Sequence, residues 1–270
     1  MSDPMPVIDD LREEGEELDA LVGTLSPEQW RLATPAPGWT IAHQIAHLNW
    51  TDRAALVAVT DEEGFKGLVE QALAAPDRYV DDGAEAGAAQ DPAALLTAWR
   101  QDRTALDGAL RAAAPGARFP WYGPPMATAS MATARLMETW AHGLDIAATL
   151  GVSRPPTDRL RHVARIGVRA RDFAYAAHGL TPPTESFRVE LTGPGGDLWT
   201  YGPEDAPQRV TGPALDFCLL ATQRAHRDDL ALTAEGPDAD RWLDIAQAFA
   251  GPPGAGRPPG AGRPAQGETR

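Results

Sequence analysis

Residues 38–52 read GWTIAHQIAHLNWTD, and the reading of this stretch decides the fold. Ile41, Ile45 and Leu48 recur at helical spacing, and Thr40 stands where a helix N-cap belongs. His43 and His47 are four apart, so both imidazoles project from one face. Residues 137–145, METWAHGLD, repeat the device with Glu138 and His142. An acid and an imidazole at this spacing also form ordinary surface pairs, and a histidine on an apolar face is often a satisfied core residue. Packed together, however, the two helices would bring one imidazole of the first to the Glu138–His142 pair. Such a His₂Glu set suits a divalent transition metal with a position left open for water or substrate. Asp145, three residues beyond His142, is placed to orient an imidazole through its second N–H.

Working outward, helical periodicity is expected over residues 6–25, from Ser26-Pro27 onward, over 40–59 and 61–73, from Pro92 through Leu110, and over 131–150 and 157–178. Residues 81–90, rich in Ala, Gly and Asp, read as a loop, and residues 119–125 (FPWYGPP) carry three prolines that exclude regular structure. The pattern changes after Pro182-Pro183. Residues 187–191 (FRVEL) and 198–201 (LWTY) alternate as strands around a TGPGGD turn. A third strand is expected at 208–211 and a fourth at 230–234, with helices over 213–225 and 238–249. The expected fold is therefore mainly α: a helix bundle over 1–180, a small α+β domain over 181–252, and a disordered Pro/Gly-rich tail over 253–270.

The net charge of −14 and pI near 4.8 argue against nucleic acid or an anionic membrane as partner. A small-molecule substrate, and a monomer or homodimer, are the expectation. Cys218 is the single cysteine, which excludes an internal disulfide, and its FCLL setting reads as core. Residues 1–11 are polar and acidic, unlike a secretory leader, and no stretch reaches the ~20 apolar residues of a membrane span, so the expected location is cytoplasmic.

The order HxxxHL on one helix, ExxxHxxD on a later helix and a small α+β domain at the end resembles the DinB-like superfamily. More narrowly it is similar to the mycothiol-dependent maleylpyruvate isomerase family. That resemblance implies a DinB-like four-helix bundle and assigns the metal ligands to His47, Glu138 and His142, with His43 beside them but not a ligand. The implied metal is zinc first, though nickel and iron share its ligand preferences. It also implies mycothiol as a co-substrate whose thiol the metal activates for isomerisation or S-transfer. The substrate would be a small electrophile, of a kind often anionic. Arg224, His226 and Arg227 in QRAHRDD are candidates to bind such an anion, although cations at a helix C-terminus are also favoured by its dipole and have Asp228 and Asp229 beside them. Trp121 and Tyr122 would either wall the pocket or pack against the second domain. The same site would serve a hydrolase through metal-activated water, or a non-catalytic binding protein if Asn49 or Asp145 blocked the open position.

Overall fold

The computed structural model describes residues 3–251 and 253–261, in two compact units, Met1–Val152 and Ser153–Arg270. In the first unit α1 (Met5–Val22), α2 (Ile41–Thr60), α5 (Pro92–Ala112) and α6 (Thr128–Leu150) form the bundle. Two shorter helices, α3 (Glu62–Ala74) and α4 (Tyr79–Ala88), lie between α2 and α5 in the chain. α2 packs along α5 and α6, and α1 along the same two helices. Their apolar stripes meet in one core containing Leu18, Trp30, Ile41, Ile45, Leu48, Leu95, Trp99 and Ile146. Burying such side chains stabilises the bundle by roughly 1.5–3 kcal/mol each, before the entropy of ordering them is subtracted.

The stretch expected to be a loop at 81–90 is helical. α4 lies against α2, and its glycines permit the approach. A Cβ on Gly83 would meet the Trp50 ring at 2.9 Å, and one on Gly87 would meet Cβ of Ala46 at 2.6 Å. Composition alone reads Gly and Asp as loop formers; here tertiary packing overrides a poor helix propensity. The FPWYGPP segment is a loop, as expected. It is closed at its base by β1 (Arg118–Phe119) paired antiparallel with β2 (Met126–Ala127).

In the second unit β3 (Phe187–Thr192), β4 (Leu198–Tyr201), β5 (Gln208–Pro213) and β6 (Thr233–Glu235) form a sheet of order β4-β3-β5-β6, with β3 and β5 parallel. The β3–β4 turn is the expected hairpin, closed by Gly193 N–H donating to Asp197 O at 2.8 Å. The helix expected over 157–178 is split at Ala170 into α7 (Leu160–Arg169) and α8 (Arg171–Ala177). These pack with α9 (Ala214–Ala221) and α10 (Pro237–Ile245). The boundary between units therefore falls after Val152, earlier than residue 180, because α7 and α8 find their apolar partners in the second unit. The Arg171 guanidinium lies 4.3 Å from the centre of the Phe187 ring.

Of the tail, Pro252 and residues 262–270 lie outside the described residues. Residues 253–261 form no helix or strand, but Gly260 N–H donates to Asp229 at 3.0 Å, so this part is tied to the unit. Among the described residues no helix is long and apolar enough to cross a membrane.

Gly87→Val should lower the stability to urea by about 1–3 kcal/mol, since a branched side chain must displace α4 from Ala46. Gly108→Ala, on a helix position with nothing within 4 Å, should raise it by about 0.5–1 kcal/mol. Equal effects in equilibrium unfolding would show that α4 is not packed as described.

Candidate metal centre

α2 and α6 bring His47, Glu138 and His142 together, with one ligand atom from each lying within 4.8 Å of the others. Nε2 of His142 is 3.1 Å and Nε2 of His47 is 3.4 Å from the same Glu138 oxygen, Oε2. Both histidines are buried, and their ring centroids are 4.6 Å apart. Burial works against the charge of Glu138, but contact with His142 and then His47 outweighs it. The carboxyl is held well below the ordinary range. Nδ1 of His47 is buried with no hydrogen-bond partner. Two imidazole nitrogens and a carboxylate oxygen converging between α2 and α6 form a donor set that fits a divalent cation.

Several side chains hold this triad. Asp52 and Arg135 form a buried ion pair between α2 and α6 at 2.8 Å, and Arg135 also donates to Thr51 Oγ1 at 2.5 Å. Thr51 in turn donates to the backbone carbonyl of His47 at 2.8 Å. Burial pushes the Asp52 carboxyl up, and Arg135 pulls against that shift. Trp39 covers the imidazoles, nearly parallel to His142 at 5.8 Å and tilted on His47 at 5.3 Å.

His43 has another task. Its Nδ1 accepts from Thr40 N–H at 3.2 Å in a capping box, and its Nε2 lies 2.8 Å from Glu85 on α4. With both nitrogens engaged it stands outside the triad. Asp81, also on α4, accepts from Trp39 Nε1 at 3.3 Å. These two acids, and Gln44, whose Oε1 meets His142 Nδ1 at 2.5 Å, escaped the sequence reading. Asp145, expected to orient an imidazole, is buried on α6, while Nδ1 of His142 meets Gln44. Only its position three residues before His47, on the same helix, hinted at this. Asn49 is drawn away to Asp102 at 2.8 Å.

The FPWYGPP aromatics pack within this unit. Trp121 stacks on Phe65 at 5.6 Å, and the Tyr122 hydroxyl meets that of Tyr79 at 3.0 Å. Tyr79 in turn contacts Trp50, whose ring is 6.2 Å from His47.

The signature of the family described as "Mycothiol maleylpyruvate isomerase N-terminal domain" spans residues 11–147, just over half of the chain and the whole of this site. The chain belongs to this family. A second signature, described as "Wyosine base formation", matches residues 183–235. Two uncharacterised Mycobacterium tuberculosis proteins, from strains CDC 1551 and H37Rv, are each 60% identical over 257 residues, covering 95% of this chain and 100% of theirs. Crystal structures of the mycothiol-dependent maleylpyruvate isomerase, and of a histidine-to-alanine mutant of it, share the fold. Each superposes with a TM-score of 0.57 at 17% identity, over 88% of this chain and 96% of that one.

Within the second unit of this family member, the three cationic candidates are engaged internally. Arg227 donates to Asp240 and to Asp244, and His226 Nδ1 accepts from Asp228 N–H at 3.2 Å. Arg224 donates to Thr222 O at 2.7 Å. The favourable charge pairing at this turn is satisfied locally, which removes the need for a substrate anion to explain it.

His142→Ala and His47→Ala should each abolish stoichiometric metal in protein purified in the presence of zinc. His43→Ala should keep the metal while losing about 1 kcal/mol of stability with its cap. Elemental analysis and urea unfolding check both, and loss of metal from His43→Ala alone would move the α2 ligand to that residue.

Proposed function

We propose that this chain is a metal-dependent enzyme that uses a low-molecular-weight thiol, mycothiol, for isomerisation or S-transfer on a small electrophile. The observation that carries the reading is the convergence of His47, Glu138 and His142 in a member of this family. These three residues would hold the ion and leave a coordination position open. A divalent ion there would draw the pKa of a thiol or water toward about 7.

The chain's own residues prepare the rest. Glu138 offers a carboxylate oxygen and the two histidines ring nitrogens, the donor types a divalent ion takes. Trp39 and Trp50 flank the histidines and limit water around them. No thiolate comes from the protein. Cys218 is its single cysteine, is fully buried in α9, and has a thiol pushed well above its usual range by burial. The nucleophilic sulfur therefore has to arrive with a second substrate, as the name of the solved relative also suggests.

In an isomerisation the thiolate adds to one carbon of an activated cis double bond. Rotation about the resulting single bond and expulsion of the same sulfur then return the thiolate and the trans product. In S-transfer the sulfur instead displaces a leaving group and stays bonded to carbon. The family relationship favours the first outcome and maleylpyruvate as its first substrate to try.

Turnover should require both the divalent metal and mycothiol. Glu138→Ala should lower kcat/KM by about 100-fold or more with circular dichroism unchanged, whereas Cys218→Ala should leave it within about twofold. Isomerisation of maleylpyruvate and thiol conjugation of electrophiles, each assayed with and without mycothiol, check this. An equal rate without thiol would replace it with metal-activated water as nucleophile, and metal-free protein that binds no zinc would end the reading.

A further inference from the structure

The hydrogen bonds around His142 have a direction, and following it assigns a proton. The Thr34 hydroxyl has one hydrogen, and it is donated to Trp39 O at 2.9 Å. Toward Gln44 the same oxygen must then accept, and Gln44 Nε2 donates to it at 2.8 Å. That turns the other end of the amide, Oε1, toward His142 Nδ1 at 2.5 Å. A carbonyl oxygen only accepts, so Nδ1 carries the hydrogen. A neutral imidazole has a single N–H, which leaves Nε2 of His142 as a bare lone pair. This lone pair faces Glu138 Oε2 at 3.1 Å. Two acceptors at that separation repel unless a cation lies between them.

We infer that Gln44 is a positioning residue that sets the tautomer of His142, keeping hydrogen off Nε2 and reserving that nitrogen for a metal ion. The inference rests on the metal-dependent reading above. The circuit is closed on itself. Thr34 N–H also donates to Trp39 O at 2.8 Å, and the Trp39 ring lies nearly parallel to the His142 ring. One turn of chain thus holds His142 by its edge through Gln44 and by its face through Trp39. Gln44 is fully buried, so water does not compete for its amide. His47 has no counterpart, since its Nδ1 is without a partner.

The reversed amide is the competing arrangement. Gln44 would then donate to Nδ1, and Nε2–H would donate to Glu138 as an ordinary hydrogen-bonded pair. It requires the Thr34 hydroxyl to turn away from Trp39 O, and a metal would have to displace the Nε2 hydrogen. Gln44→Leu removes the acceptor for Nδ1–H and leaves that hydrogen-bonded pair as the better alternative.

Long-range ¹⁵N–¹H spectra of metal-free wild type, with His142 identified by its loss in His142→Ala, should show hydrogen on Nδ1. In Gln44→Leu it should move to Nε2, and zinc affinity measured by chelator competition should fall about 10- to 100-fold, the range seen when an orienting partner of a ligand is removed. Gln44→Glu, which keeps an acceptor facing Nδ1, should retain affinity within a few fold. A wild-type His142 with hydrogen on Nε2, or a folded Gln44→Leu protein with zinc affinity within twofold of wild type, would overturn the inference. The wild-type tautomer is read without metal, so it can fail while zinc binding stands, and the reverse.

Discussion

The register between α2 and α6 is the constraint on which the rest of this site depends. Two of the candidate ligands are on α6 and one on α2, so sliding either helix by a single turn, about 5.4 Å, would take His47 out of reach of Glu138. Apolar packing alone is tolerant of such slips, because hydrophobic contact is non-directional. The Asp52–Arg135 pair is not tolerant of them. Breaking a buried ion pair leaves an uncompensated charge in the interior, at a cost of about 3–5 kcal/mol, so this contact penalises wrong registers more than it rewards the right one. Thr51 links the pair directly to the backbone of His47, which joins the helix-docking device to the candidate ligand it positions.

The site is assembled from more of the chain than the three ligands. The turn carrying Thr34 and Trp39 covers and orients His142, while α4 reaches back with Asp81 to Trp39 and Glu85 to His43. His43 and His47, alike in the sequence, end in opposite roles. One caps the helix that the other uses as a platform. This division follows from place in the helix: His43 is at the third position, where a side chain can return to the cap, and His47 is a turn further on, beyond reach of it.

Membership of the family and the fold shared with the solved isomerase do not by themselves choose a reaction, since one fold hosts several chemistries. What narrows the choice is the inventory of this chain. Its one thiol is buried and protonated, its triad is held in place from several sides, and the cations of the QRAHRDD turn are engaged with their own neighbours.

The sequence by itself determined the bundle, the α+β unit and the two helices that carry the His47, Glu138 and His142 triad, because hydrophobic period and turn chemistry are local properties written residue by residue. Glu138 and His142 were legible for the same reason: one helix fixes their spacing. The choice of His47 over His43 rested on family resemblance; in the structure His43 is engaged by the Thr40 cap and by Glu85. The helix at 79–88, the unit boundary after Val152 and the role of Gln44 were decided only by tertiary structure. Each depends on a partner distant in the chain. Gly83 and Gly87 favour helix only where Trp50 and Ala46 press against them, α7 joins the second unit only because α9 is there, and Gln44 acquires its role from an imidazole 98 residues away.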